Sequence, residues 1–304
     1  MAIGLSGDRD NELLELFCHH LVGLTWYEGT ADSNGEYVKP PTPFLGSGFV
    51  IQIGEDFWLA TAGHIFKDHD KRMAKPAAKY STPFLFDYWS PESTVPDPLR
   101  YDFFDDSTSL AFVSYSETEG LDFALIQMPE LIGKALSKTI KPFRRIDWVE
   151  GAKTKFDFHA VLGIPIARAQ VTCTSKDGKT TTKTAPIPEL IFLDEVEWPH
   201  PKIEKTEQPQ FVAKLHERSD ISTVEGMSGG PILGFKREGS QIRYYPVAIQ
   251  SRWNPKRRIV VGCPLDLVGN RFETFIETME SEFDGSDEET ETCPAPDSYN
   301  SPPS

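Results

Sequence analysis

The stretch GSGFVIQIGEDFWLATAGHIF, residues 46–66, holds two β-like runs, FVIQI at 49–53 and FWLATA at 57–62, around Gly54-Glu55-Asp56. Apolar, β-branched and aromatic residues on both sides of a Gly-containing turn predict an antiparallel hairpin. The second run closes on Thr61-Ala62-Gly63-His64, so a histidine follows the end of a strand. Outward from the hairpin the rhythm recurs, with strand-like runs at 84–89, 109–115, 123–128, 158–164, 189–196, 210–217, 231–236, 244–251 and 258–265, and a turn at 236–241. Helical periodicity is confined to two places. Asn11–Cys18 follows Asp8 and Asp10, which suit an N-cap, and Asp266–Met279 gathers Leu267, Phe272, Phe275, Ile276 and Met279 on one face. Many short strands without βα alternation predict an all-β sandwich or barrel. Residues 67–108 and 171–188 break the rhythm and are expected as surface loops or excursions bordering a functional cleft.

Composition narrows the function. A chain of 304 residues hides roughly three quarters of its unfolded surface and needs no disulfide staples. With 31 basic and 46 acidic side chains the net charge is −15, which argues against an electrostatic nucleic-acid binder. No apolar run approaches the ~18 residues of a transmembrane span. The four cysteines, Cys18, Cys173, Cys263 and Cys293, include no CxxC pair, so neither a zinc site nor a disulfide framework is expected. The first residues lack a basic region followed by an apolar one, which reads as no secretory signal and a cytoplasmic setting. Residues 281–304 hold seven acids, four prolines and no Lys or Arg, and are expected as a disordered tail. That leaves about −8 on the body, and Cys293 as an incidental thiol in the tail.

Three segments carry chemistry: Thr61-Ala62-Gly63-His64, Leu121-Asp122-Phe123-Ala124-Leu125-Ile126, and Gly226-Met227-Ser228-Gly229-Gly230-Pro231. Taken singly they are a structural histidine, a strand-capping aspartate and a tight turn. Together they supply a hydroxyl nucleophile, an imidazole to take its proton and a carboxylate to fix the imidazole's tautomer. Small residues around Ser228 let backbone N–H groups turn towards a developing oxyanion.

With these motifs, followed by VAIQSRW at 247–253, the chain resembles the chymotrypsin-like serine proteases, nearest to bacterial stand-alone trypsin-like peptidases. The resemblance runs in order over about 20–265, with 58 residues from His64 to Asp122 and 106 from Asp122 to Ser228. It implies two six-stranded β-barrels with a short N-terminal helix and a C-terminal helix. One peptidase domain would span 1–280: a first barrel over about 20–135, a second over about 150–265 and a closing helix at 266–280. It further implies Ser228 as nucleophile, His64 as general base and acid, Asp122 as its orienting partner, and the N–H groups of Gly226 and Ser228 as an oxyanion hole.

Departures from the family pattern are informative. Met227 stands where zymogen-activated members carry an aspartate, so that activation switch is expected to be absent. Val224 and Ile65 are not the cysteines of the secreted enzymes. Counting back from Ser228 puts Ser222 at the floor of the specificity pocket, where a neutral residue gives no preference for Lys or Arg. Ser251 would begin the strand that pairs with substrate, and Trp253 falls where many members have glycine. A Trp253 ring turned inward would favour small residues; a ring packed outward over the body is the alternative. Arg252, Lys256, Arg257 and Arg258 form a basic cluster, read either as a solvated loop or as a reader of acidic segments, the tail included.

The expected function is a regulated serine endopeptidase acting on a protein or peptide substrate, with no metal or organic cofactor. Its partners would include neither nucleic acid nor membrane, and a regulatory partner protein is admitted. The alternatives are a catalytically silent, protease-like peptide-binding or scaffold module, and an esterase on the same triad.

Overall fold

The computed structural model describes residues 14, 16–87, 98–105, 107, 110–176, 179–217, 219, 221–239 and 241–284. The fold is mostly β. The N-terminal half builds one sheet from β1 (Val22–Thr30), β2 (Thr42–Ile53), β3 (Asp56–Thr61), β4 (Ala78–Tyr80), β5 (Phe84–Asp87), β6 (Pro98–Arg100), β7 (Ala111–Ser116), β8 (Leu121–Gln127) and β9 (Phe143–Arg144). Its order is β6-β5-β1-β2-β3-β8-β7, with β4 on β1 and β9 on β2. The C-terminal half closes into a six-stranded barrel from β10 (Phe158–Gly163), β13 (Glu189–Glu195), β14 (Phe211–Leu215), β17 (Ile259–Pro264), β16 (Gln241–Asn254) and β15 (Pro231–Glu238). Between β10 and β13, β11 (Gln170–Lys176) and β12 (Lys179–Ala185) form a separate two-stranded ribbon.

The two halves share a core because the central strands are apolar on both faces. Along β8, Leu121, Phe123 and Leu125 join the cluster between the halves, whereas Ala124 and Ile126 face the core of the N-terminal sheet. The barrel does the same. Val161, Ile232 and Ala248 fill its interior, while Ala160, Leu162, Leu233, Ile249 and Cys263 face the shared cluster. The closing helix, Leu265–Asp284, returns across the junction and lays Phe272 edge-on to Trp58 of β3, ring centres 4.6 Å apart. A fully buried Phe123 contributes about 2–3 kcal/mol by area alone.

Several expectations change. The second closed barrel is not formed by hydrogen bonds: the N-terminal sheet ends at β6 and β7 without pairing them. The excursion at 67–108 begins as the helix Gly63–Met73 and then supplies β4, β5 and β6. The polar segment 171–188 is largely the β11–β12 ribbon, since runs of β-branched threonine pair without needing an apolar face. Strand β1 and the helices Glu130–Leu136 and Arg145–Lys153 had no clear periodic signal, and Arg145–Lys153 places only Trp148 and Gly151 inside. The closing helix runs to Asp284, four residues into the expected tail, while 285–304 and Cys293 lie outside the described residues. Near the N-terminus, residues 14 and 16–18 are helical, as the periodicity at 11–18 requires. No helix among the described residues is long and apolar enough to cross a membrane.

Candidate active site

His64 and Asp122 meet because two adjacent strands end side by side. Strand β3 stops at Thr61 and the chain turns at Ala62 into the helix Gly63–Met73, putting His64 in its first turn. Asp122 is the second residue of β8, which pairs with β3 through Thr61 opposite Ala124. One carboxylate oxygen, Oδ1, accepts the backbone N–H of His64 at 2.8 Å; the other, Oδ2, accepts the ring Nδ1–H at 2.9 Å. Both the position and the tautomer of the ring are thereby fixed, and Nε2 is left as the basic nitrogen. Among the described residues Nε2 has no hydrogen-bond partner. The Asp122 side chain is 5% exposed and that of His64 26%. Burial pulls the imidazole's pKa down, but the hydrogen bond and charge of Asp122, with a smaller contribution from Asp68, outweigh it and hold His64 above its ordinary 6.5.

The serine loop divides its backbone donors. The N–H groups of Glu225, Met227, Gly229 and Gly230 donate to Thr223 Oγ1 and to the carbonyls of Val224, Gln250 and Met227. Those of Gly226 and Ser228 have no acceptor among the described residues. Two unspent donors two residues apart are what an oxyanion site needs. Glycine makes this turn possible: Gly226 and Gly229 hold φ of +90° and +88°. A Cβ on Gly229 would stand 2.1 Å from Thr61 Oγ1 and 2.2 Å from the Ser47 carbonyl, so the loop is pressed onto the strand end that leads to His64.

Ser47, on β2, ties the pieces together. Its N–H donates to the Ser228 carbonyl at 3.0 Å and its hydroxyl to the Gly226 carbonyl at 3.0 Å. The same hydroxyl accepts the Ile164 N–H at 2.9 Å, and the Ser47 carbonyl accepts Thr61 Oγ1–H at 2.7 Å. The sequence motifs contain Ser47 and Thr61 but assign neither a role. The small residues Gly46-Ser47-Gly48 inside an apolar strand were the available signal, since a polar residue there must find partners.

The remaining residues named from sequence lie on the serine loop's approach and on β16. Ser222 is exposed. Ser251 is buried, and its hydroxyl donates to the Val261 carbonyl at 3.2 Å. Trp253 is half-buried and packs on the barrel cluster that holds Ile221, Val224 and Met227. Its Nε1–H is buried with no acceptor, as is Oε1 of Gln250 with no donor. Met227 and Val224 are fully buried, so apolar side chains complete the barrel beneath the loop. Of the basic cluster, Arg252 donates to Gln210 Oε1 at 3.3 Å, Arg257 to the Lys202 carbonyl, and Arg258 to the carbonyls of Ser219 and Ile221. These acceptors are neutral oxygens, so the bonds orient the three guanidinium groups without neutralising them, and Lys256 beside them is exposed. No group of three or more potential metal ligands gathers among the described residues.

No protein-family model matches the chain, and no curated protein matches it either.

Proposed function

We propose that the chain is a serine endopeptidase of the chymotrypsin-like class, with Ser228, His64 and Asp122 as its catalytic triad. One observation carries the reading: Asp122 grips His64 by backbone and ring together, beside a serine loop that leaves the N–H groups of Gly226 and Ser228 unspent. Ser228 Oγ attacks the scissile carbonyl carbon as His64 Nε2 takes its proton. The carbonyl oxygen gains the negative charge and is held by the two N–H groups. The imidazolium then protonates the departing amine, leaving an acyl ester on Ser228. Water, deprotonated by His64, releases the acid and restores the hydroxyl. In this reading the N-terminal sheet is the counterpart of the family's first barrel, and substrate lies between it and the closed barrel.

The substrate strand has a place to pair. Residues Ser251–Asn254 of β16 extend past the end of β15, which reaches only Ile249, so one backbone edge is open beside the serine loop. Trp253 packing on the barrel cluster favours the inward reading of its ring, hence a pocket for small residues before the scissile bond. Digestion of a peptide library tests both. We expect cleavage after small side chains by the parent protein and none by Ser228→Ala. Cleavage that survives Ser228→Ala would sink the assignment; cleavage after large aromatic residues would remove the role given to Trp253.

A further inference from the structure

A cavity of about 380 Å³ opens where the helix Arg145–Lys153, the mouth of the closed barrel and the first turn of the closing helix meet. It is in the size range of small-molecule sites. It shares no residue with the His64–Asp122 pair or the serine loop. His159 lines it from β10, two residues before the barrel-core residue Val161 on the same strand and opposite Leu193 of β13. Its side chain is 7% exposed, with Phe156 and Phe211 against the ring at centre distances of 5.3 and 5.1 Å. Nδ1 is 3.5 Å from Oε2 of Glu195, outside hydrogen-bond geometry, and Nε2 has no partner among the described residues. Nε2 is not among the polar atoms sealed from solvent without a partner, so it stands as an acceptor open to a ligand.

The charges around the cavity say what would fill it. Glu195 and Asp266 both line it, against one exposed cation, Lys155, so its local field is negative. Burial drives His159 down to about 4, so its ring is a neutral base, and it also raises the Glu195 carboxyl, a cost that a nearby cation offsets. A cation would relieve Glu195 and accept His159 as a neutral base. A metal ion is a poor fit, because no three ligands converge. Phenylalanine faces favour an organic cation instead.

We propose that this cavity binds a small organic amine, a primary ammonium on a compact apolar body, with the ammonium donating to His159 Nε2 under the field of Glu195 and Asp266 and the body resting on Phe156 and Phe211. The site is separate from the proposed triad and does not depend on it. Bound amine would bridge the linker helix, the barrel and the closing helix, and so stabilise their junction by mass action.

Benzylamine is the probe, with phenylacetate and benzyl alcohol as matched anionic and neutral controls. The full chain, labelled with ¹⁵N-histidine, is titrated by NMR. A saturable shift of the His159 nitrogens is expected with a Kd in the millimolar range or below. Glu195→Gln, on a side chain 57% exposed, keeps the barrel folded and should weaken binding at least about tenfold. His159→Gln should abolish it, with circular dichroism confirming the fold. No saturable shift with benzylamine, equal binding of phenylacetate, or unchanged affinity in Glu195→Gln would each overturn the proposal.

Discussion

Two histidines on one helix meet carboxylates in nearly the same way and end in opposite conditions. His64 joins Asp122 through Nδ1 at 2.9 Å, and His69, five residues on, joins Glu28 through Nδ1 at 3.0 Å. Five helical steps turn the second ring about 140° away, from the cleft towards the N-terminal core. There it stacks on Phe104 at 3.7 Å with Tyr80 edge-on at 4.7 Å, and is 3% exposed. Glu28 also accepts Trp26 Nε1–H at 2.6 Å and both Nε and NH2 of Arg72. Burial alone would raise the Glu28 carboxyl, but hydrogen bonds from Arg72, Trp26 and His69 pull it below its ordinary value. A histidine–carboxylate pair is therefore not a reactive site in itself. What sets His64 apart is its place beside the serine loop, whose Gly226 and Ser228 N–H groups have no acceptor among the described residues.

The widest separation of the two pairs comes from turnover. His64→Ala or Ser228→Ala should lower kcat/KM at least about 10⁴-fold, with Ser228→Ala leaving the urea midpoint nearly unchanged. His69→Gln should do the reverse, costing stability while the folded fraction keeps its turnover. Glu28→Ala strands Arg72, His69 and the Trp26 N–H together, and should destabilise by about 3 kcal/mol or more in urea titrations. If Glu28→Ala instead abolished activity in a fully folded protein, the division between the pairs would collapse.

Ser47→Ala tests whether the serine loop is held from the N-terminal sheet. It orphans the Ile164 N–H and removes a donor from the Gly226 carbonyl, at a cost of about 1–3 kcal/mol. A fall in kcat of roughly tenfold with KM unchanged would mark a positioning residue. Loss of stability alone, with kcat intact, would make Ser47 merely structural.

The smallest effects are in pH, and the two pairs have opposite signs. His64 is raised above 6.5 in the folded chain, so its contribution to stability is full below 6.5 and lost as pH rises through the higher folded value. Glu28 is lowered, so its contribution is full above 4.5 and lost as pH falls through the lower folded value. Because a general base must be neutral, kcat/KM should fall in acid with a midpoint above 6.5. In Asp122→Asn that midpoint should move down while kcat also drops. A midpoint unmoved by Asp122→Asn would mean that another group sets it.

How much of this was legible follows from range. The hairpin at 49–62 and the barrel strands announced themselves through local apolar runs around turns, and β15 and β16 needed only a tighter turn at Gly239 than the six residues assigned. The His64–Asp122 pair and the serine loop were readable because each sits in a short distinctive motif at a strand edge. The His69–Glu28 pair was not, since Glu28 lies 41 residues upstream in a strand without alternation, and its partners come from segments that read as loop. Ser47 was hidden for the same reason: its partners are 117 and 179 residues away. The failure of the N-terminal sheet to close is a property of strand pairing, which motifs do not encode.

The most direct test of the central claim is covalent labelling by a fluorophosphonate, followed by intact mass and peptide mapping. One adduct is expected, on Ser228, formed by the parent protein and by His69→Gln, and absent from His64→Ala and Ser228→Ala. No adduct on the parent protein, or equal labelling of Ser228 when His64 is alanine, would contradict the account.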